Sequence, residues 1–407
     1  MRVGIFTDTF FPEINGVATS VMLLQRELEK RGHSVYVVTS SHPQLKGEED
    51  IPNTFRLPSA PFVFLPSRRM AVVYNKRVAH KIQSLNLDIV HTNTEFSLGM
   101  FGKLSAAVLN KPVLHTFHTL YEDYVHYITR GHFKYFSAEM AKLFSKTYCN
   151  SCDAIVVPTD KTRDMLLQYN VDRPISIIPT GIDIEPFRRQ EEDNREIREI
   201  KKKFHICEDE KVILYVGRLA KEKNIDTIVE NLPPYFQKNN KTKFLIVGDG
   251  PWKKEIENMA NRKGIGNRVV FAGEQPWKNI STFYKLGDVF VSASLSETQG
   301  LTFIEAMAAG IPVLAKKDRS IEKLIFDDYS GCIFEDDSDI PLKLQRILGD
   351  AGFAGKLAKN GLEIAEQNSS AQFAQSIEQR YEEVIKTWID SGKRHKLNKK
   401  LIQKLIM

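Results

Sequence analysis

With 407 residues, 42% of them hydrophobic, the chain is long enough for two or three domains with full cores, and 57 basic against 51 acidic side chains leave a formal charge of only +6. That modest excess does not indicate a nucleic-acid partner, and no run approaches the roughly 18 to 20 uninterrupted apolar residues that span a bilayer. Asp8 and Glu13 interrupt the amino terminus, where residues 2–7 already read as a core strand, so no signal peptide is expected and the chain is placed in the cytoplasm.

Strands and helices alternate along the first half, with strands predicted at 2–7, 34–39, 54–57, 88–92, 112–117, 153–158 and 176–179. Their centres are apolar throughout, which implies burial on both faces and hence a parallel sheet wrapped by helices. Gly16 follows the first strand's loop, where a glycine lets the backbone approach a phosphate or sugar closely, although turn geometry alone would also explain it. His118 stands at the carboxyl end of the strand 112–117, where a neutral imidazole can bond to a sugar hydroxyl or orient an acceptor. A half-buried histidine with satisfied bonds is the plainer reading.

From Ile51 to Leu87 there is no acidic residue, yet Arg56, Arg68, Arg69, Lys76, Arg77 and Lys81 are all present. Phe62, Val63, Phe64, Leu65 and Pro66 read as an apolar loop, and Met70, Val73, Tyr74, Val78, Ile82 and Leu85 as one arc of a helix flanked by the cations. A basic amphipathic element beside an apolar loop suits an anionic membrane surface, at ~1 kcal/mol per basic residue. A helix packed on the sheet with solvated charges is compatible with the same pattern.

Of the four cysteines, Cys149 and Cys152 form a Cys-x-x-Cys with no second pair, and the motif precedes a strand instead of opening a helix, so ordinary reduced thiols are expected there and at Cys207 and Cys332. Near Pro179 and Gly181 a strand ends in a punctuated turn, which places the domain junction there, with one domain at 1–180 and a second at 181–370.

The second half repeats the scheme, with strands at 212–216, 243–247, 268–272, 288–292, 312–315 and 332–334, so the fold class is α/β with two doubly wound Rossmann-like domains. Ligands of such sheets bind at the carboxyl ends of the strands, so two domains facing each other are expected to form an active-site cleft. After the strand 212–216 come Gly217 and Arg218, with Lys223 opening the next helix. Two fixed cations at a strand end suit a diphosphate leaving group, whose charge rises as the glycosyl bond breaks. An ordinary basic loop would look the same in isolation.

Farther along, Glu297 and Glu305 stand eight residues apart with Gly300 between them, and a short apolar helix runs from Leu301 to the stop at Gly310. The first amides of that helix, at Leu301 and Thr302, lack intrahelical acceptors and suit a phosphate. Glu305, one turn in, would take ribose hydroxyls, and Glu297 the hydroxyls of a sugar beyond the phosphate. The base of a nucleotide would lie near Gly273, Glu274 and Gln275. An Asp-x-Asp at Asp337 and Asp339 lies in an acidic loop that reads as surface, and no metal ligand set is assigned. A long amphipathic helix is read at 371–388, and the tail 392–407 is basic and amphipathic, either a second membrane contact or a frayed end.

Gly217, Arg218 and Lys223, then Gly248, Asp249, Gly250 and Pro251, then Glu297 to Glu305, in this order, resemble the donor-binding half of family 4 glycosyltransferases, which have the two-domain GT-B fold. The loop from Phe10 to Val17 resembles that family's first glycine loop, and His115, Thr116, Phe117 and His118 its histidine strand. The run from His115 to Ile128 is similar to the branch that glycosylates diacylglycerol.

The resemblance implies a retaining hexosyltransferase using a nucleotide-sugar, with UDP-glucose expected and no cofactor or essential metal. It further implies a lipid acceptor such as diacylglycerol, with Tyr121, Glu122 and Asp123 helping to hold it, and a helix near 371–390 crossing back onto the first domain. A peripheral place on the inner face of the cell membrane follows. Phosphatidylinositol or a soluble sugar remains an open acceptor. The incomplete Gly-x-Gly-x-x-Gly around Gly4 and Gly248 speaks against a nicotinamide enzyme, and a basic membrane scaffold without activity would leave Glu297, Glu305, Arg218 and Lys223 idle.

Overall fold

Fully apolar strand centres require partners on both sides, and the computed structural model supplies them as two parallel sheets. It describes residues 1–13, 15–45, 51–62, 65–72, 75–118, 134–190, 193–295 and 299–392. The chain divides into one unit of Met1–Gly181 with Ser370–Met407, and another of Ile182–Ser369.

In the first unit the strands are β1 (Arg2–Phe6), β2 (Ser34–Ser40), β3 (Thr54–Leu57), β4 (Ser59–Phe62), β5 (Leu65–Ala71), β6 (Ile89–Thr92), β7 (Val113–Thr116), β8 (Ala154–Val157) and β9 (Ile175–Ile177). Seven of them form a sheet in the order β3-β2-β1-β6-β7-β8-β9, with parallel pairing throughout. Chain progression reverses between β1 and β6, which makes the crevice at their carboxyl ends this sheet's topological switch point.

The helix Ser370–Asp390 packs on the helix Gly16–Lys30 and buries Phe373, Ala374, Ile377, Tyr381 and Val384 against Val3, Ile5, Val21 and Leu24. At about 1.5–3 kcal/mol for each large apolar side chain, this burial fixes the helix to the first sheet.

In the second unit β10 (Lys211–Val216), β11 (Thr242–Val247), β12 (Val269–Gly273), β13 (Val289–Ser292), β14 (Val313–Lys316) and β15 (Cys332–Phe334) are ordered β12-β11-β10-β13-β14-β15, again all parallel. Separate apolar cores cover the two faces of this sheet. Its switch point lies between β10 and β13.

One sequence expectation needs correction. Phe62, Leu65 and Pro66 lie on strands and not in a loop leading into a helix, while Val63 and Phe64 lie outside the described residues. Ser59–Phe62 and Leu65–Ala71 pair as an antiparallel hairpin, so Met70 lies on a strand, and the helix is confined to Lys76–Ser84. The cause is Arg69. Its Nε donates to Ser41 O at 3.0 Å and to Ser59 Oγ at 2.8 Å, and its Nη2 to Ser59 O at 2.7 Å, which ties the hairpin to the end of β2. Arg69 is therefore engaged within the protein, not presented as a surface cation. Arg56 donates likewise to Ser40 O and Phe11 O, and Lys81 lies 4.7 Å from the Phe55 ring centroid. Lys76 and Arg77 are exposed. Phe62, Leu65 and Arg68 lie on the hairpin strands, whose side chains there are outside the description, as is Phe64 altogether.

Candidate active site

At the second unit's switch point three strand ends are locked together by glycines. Gly217 N donates to Val247 O and Gly248 N to Gly273 O, both at 2.9 Å. Gly248 has φ +138°, and a Cβ there would come within 2.0 Å of Gly217 O, so no other residue fits without displacing the β10 loop. That loop is fixed further by Leu219 N donating to Asp249 O at 2.9 Å. The result is a backbone platform from Gly217 through Gly248 to Gly273, with Glu274 exposed beside it and Gln275 Nε2 donating to Ala272 O at 2.6 Å.

The cations stand on this platform. Arg218 is exposed and pairs with Glu222 one turn on. Lys223 reaches across the switch point, its Nζ 3.5 Å from Ser294 Oγ, just beyond the end of β13, and Asn224 Nδ2 donates to Ala293 O at 3.2 Å. Six residues after Ser294, Gly300 takes φ +68° and opens the helix Leu301–Ala308 with no side-chain cap among the described residues, so the amides of Leu301 and Thr302 lack intrahelical acceptors. The structure thus brings Lys223 to the loop that leads into this helix. Glu297 lies outside the described residues.

Glu305 is not an exposed helical residue. It is 6% exposed, and Tyr284 Oη donates to its Oε2 at 2.6 Å. Burial pushes its carboxyl up to about 7, against the lowering effect of the Tyr284 hydrogen bond. A carboxyl so poised gains from any hydroxyl that donates to its ionised form.

The first unit presents a histidine cluster at the ends of β6 and β7. His118 is half-buried, with Nε2 2.9 Å from Asn93 Oδ1, and burial lowers its pKa to about 4, assisted by His115 and opposed by Glu95. The ring is neutral at physiological pH. An Nε2–H donating to Asn93 leaves Nδ1 as an acceptor. His115 is fully buried, its Nδ1 2.9 Å from Thr92 Oγ1 and its Nε2 3.2 Å from Glu95 Oε1.

Behind them, the buried His91 has Nδ1 2.7 Å from Tyr381 Oη and Nε2 2.7 Å from Thr116 Oγ1. Tyr381→Phe would strip this buried ring nitrogen of its partner, and a loss of about 1–3 kcal/mol in unfolding free energy is expected in urea titrations. A change under about 0.5 kcal/mol would show that the hydroxyl is dispensable.

Gly16 is the first residue of its helix, and a Cβ there would meet nothing within 4 Å. Among the described residues nothing therefore requires a glycine at this position. Tyr121, Glu122 and Asp123 lie outside the described residues, as does the tail from 393.

Asn93 and Glu95 were not singled out by sequence reasoning. Their signal was position: they directly follow β6, the strand beside β1 at the switch point. The Cys-x-x-Cys belongs elsewhere. Cys149 and Cys152 are buried, and burial raises both thiols, Cys152 to about 12, far from thiolate. Asp337 pairs with Lys316 at 2.5 Å in the loop of the Asp-x-Asp. Asp327, Asp328 and Cys332 approach one another closely, but Lys343 and Arg346 already neutralise the two carboxylates.

The fold matches a structure of the Anabaena protein HepE in complex with UDP, with a TM-score of 0.70 and 17% identity over 94% of this chain and 100% of that one. Two Rossmann-like units of parallel sheet, matched over nearly the whole chain, give the protein the two-domain GT-B fold.

Residues 14–186 match the model of Glycosyltransferase Family 4, and residues 196–364 that of Glycosyl transferases group 1. Alpha-monoglucosyldiacylglycerol synthase of Streptococcus pneumoniae is 37% identical over 84% of this chain and 76% of its own length. The protein of the same name from Acholeplasma laidlawii is 33% identical over 98% of this chain and 100% of its own. The chain belongs to glycosyltransferase family 4.

Proposed function

We propose that the protein transfers glucose from UDP-glucose to the free hydroxyl of diacylglycerol, with retention of anomeric configuration and without an essential metal, while seated peripherally on the inner face of the membrane. The observation that carries this reading is the 33% identity to the Acholeplasma synthase across 98% of this chain and the whole of that one. Among the described residues no helix is long and apolar enough to cross a membrane, which fits a peripheral enzyme.

In the proposed reaction the acceptor hydroxyl oxygen bonds to C1 of the sugar as the bond from C1 to the β-phosphate oxygen breaks. The hydroxyl proton passes to the departing phosphate, so both events occur on one face of the sugar. Arg218, Lys223 and the amides of Leu301 and Thr302 hold the diphosphate as its charge rises, and such fixed positive groups supply what a metal would otherwise supply. Glu305 takes ribose hydroxyls, Glu297 the sugar, and His118, kept neutral, orients the acceptor.

The decisive experiment offers a panel of nucleotide-sugars with diacylglycerol, phosphatidylinositol or free sugars in the presence of a chelator. The product is identified by mass and its anomeric configuration by proton coupling. An α-glucosyl diacylglycerol is expected from UDP-glucose. Transfer to phosphatidylinositol or to a free sugar instead would replace the acceptor, and no release of nucleoside diphosphate with any pair would leave a membrane scaffold.

A further inference from the structure

We infer that an exposed apolar ridge formed by Phe96, Met100, Met140, Leu143 and Phe144 is the surface that enters an anionic bilayer and brings the acceptor site to its lipid. The inference rests on the glycolipid reading, and goes beyond it by naming where the bilayer is met.

Solvent-facing apolar side chains normally occur singly, and a contiguous group marks a place of contact. Here Leu143 is 64% exposed and Met140 56%, with Phe96 and Met100 close to half exposed. They form one surface because the Phe96 and Phe144 rings stack, with centroids 5.9 Å apart and planes within 22°. Met100 lies one turn beyond Phe96, its amide donating to Phe96 O at 2.9 Å, while Met140 and Leu143 share Phe144's side of the helix Lys134–Asn150.

Two observations identify the occupant as an anionic lipid surface. The first is charge. The helix Ser97–Leu109, which follows Phe96, packs against Lys76–Ser84, a helix with Lys76 and Arg77 exposed and no acidic residue. Among its described side chains the helix Lys134–Asn150 carries Lys142 and Lys146 against Glu139 alone. Apolar side chains flanked by cations match an acyl layer beneath anionic headgroups, with hydrophobic and electrostatic gains adding.

The second is place. Phe144 lies 6.5 Å from the Tyr148 ring, which lies 4.8 Å from His115, so two ring contacts connect the ridge to the histidine cluster. An acceptor whose acyl chains stay in the bilayer offers its hydroxyl at the interface, which the ridge would bring to this cluster.

The test combines Met100→Ser, Met140→Ser and Leu143→Ser, with Leu143→Lys alone as a second variant at the most exposed position. Flotation on vesicles of equimolar phosphatidylglycerol and phosphatidylcholine is expected to show a partition coefficient lowered roughly tenfold or more for the triple variant. Glucosylation of vesicular diacylglycerol should fall with it. Turnover of a short-chain diacylglycerol held as monomers in solution should match wild type, as should the thermal midpoint.

Wild-type partition by both variants would overturn the inference. So would a change from dimer to monomer in sedimentation with vesicle binding intact, since the ridge would then join two copies of the chain. If wild-type protein glucosylates no diacylglycerol even in solution, the glycolipid reading itself falls. If it does and the variants still bind vesicles, only the ridge is lost.

Discussion

Replacing Lys223 with methionine is expected to lower kcat by about two to three orders of magnitude while weakening donor binding much less. The asymmetry follows from where the charge develops. In the ground state the diphosphate oxygens already carry negative charge and are satisfied by several donors, whereas the oxygen released from C1 becomes anionic only as the bond breaks. Lys223 is half-buried at the end of β10 and held against Ser294 across the switch point, so its ammonium is already placed and costs no reorganisation at the moment of reaction. Methionine keeps the stem and removes only the charge.

Arg218 is in a different condition, more exposed and paired with Glu222, so it must exchange that carboxylate for phosphate oxygens when donor binds. Arg218→Gln should therefore cost less than the lysine change. In the double variant the two losses should combine to less than their product, because both groups act on one leaving group. Steady-state release of nucleoside diphosphate, with donor dissociation constants from calorimetry, checks both statements. Lys223→Met turnover within threefold of wild type would remove the lysine from the reaction.

The elements legible in the sequence were those whose signal is local. Most parallel strands of the two sheets are short apolar runs bounded by glycine, proline or polar residues, and all thirteen appear where they are predicted, with ends shifted by at most two residues. The hairpin Ser59–Phe62 with Leu65–Ala71 was not legible. Pro61 and Pro66 interrupt its alternation, and what holds it is an arginine bonding back to Ser41, 28 residues earlier.

The same limit applies to the candidate site. Glycines and cations after β10 carry a local pattern, but strand order decides that the ends of β10 and β13 meet, and no local pattern encodes that order. The bond from Tyr381 to His91 joins residues 290 apart, and the hydroxyl that claims Glu305 comes from a helix 21 residues upstream. Burial of an acid by a distant tyrosine leaves no trace in the spacing of the acid itself.

That burial sets a second large effect. Glu305→Gln is expected to stabilise the protein at pH 8 by about 3 kcal/mol and to have almost no effect on stability below pH 4.5. The unfolded carboxyl titrates near 4.5 and the folded one near 7, so the folded state holds the extra proton between those values. Wild-type stability is therefore fully present below 4.5, falls as pH rises through the window, and is lowest above 7. At about 1.4 kcal/mol per pH unit the gap corresponds to the stated figure. Glutamine still accepts from Tyr284 but never ionises, so the variant's stability should stay flat across the same window.

The donor should respond in the opposite direction. Ribose hydroxyls donating to an ionised, buried carboxylate form charge-assisted hydrogen bonds of about 1.5–3 kcal/mol, so the variant is expected to bind UDP-glucose roughly ten- to a hundredfold more weakly at pH 8. Denaturant titrations at pH 4.5 and 8, beside calorimetric donor binding at pH 8, read both effects in one protein. A stabilised variant with unchanged donor affinity would mean that Glu305 serves Tyr284 alone. If stability is equally insensitive to the substitution at both pH values, the carboxyl does not titrate in the window at all. Gain in stability together with loss of donor is the signature of an acid kept buried, at a cost to the fold, for a ligand that repays it on binding.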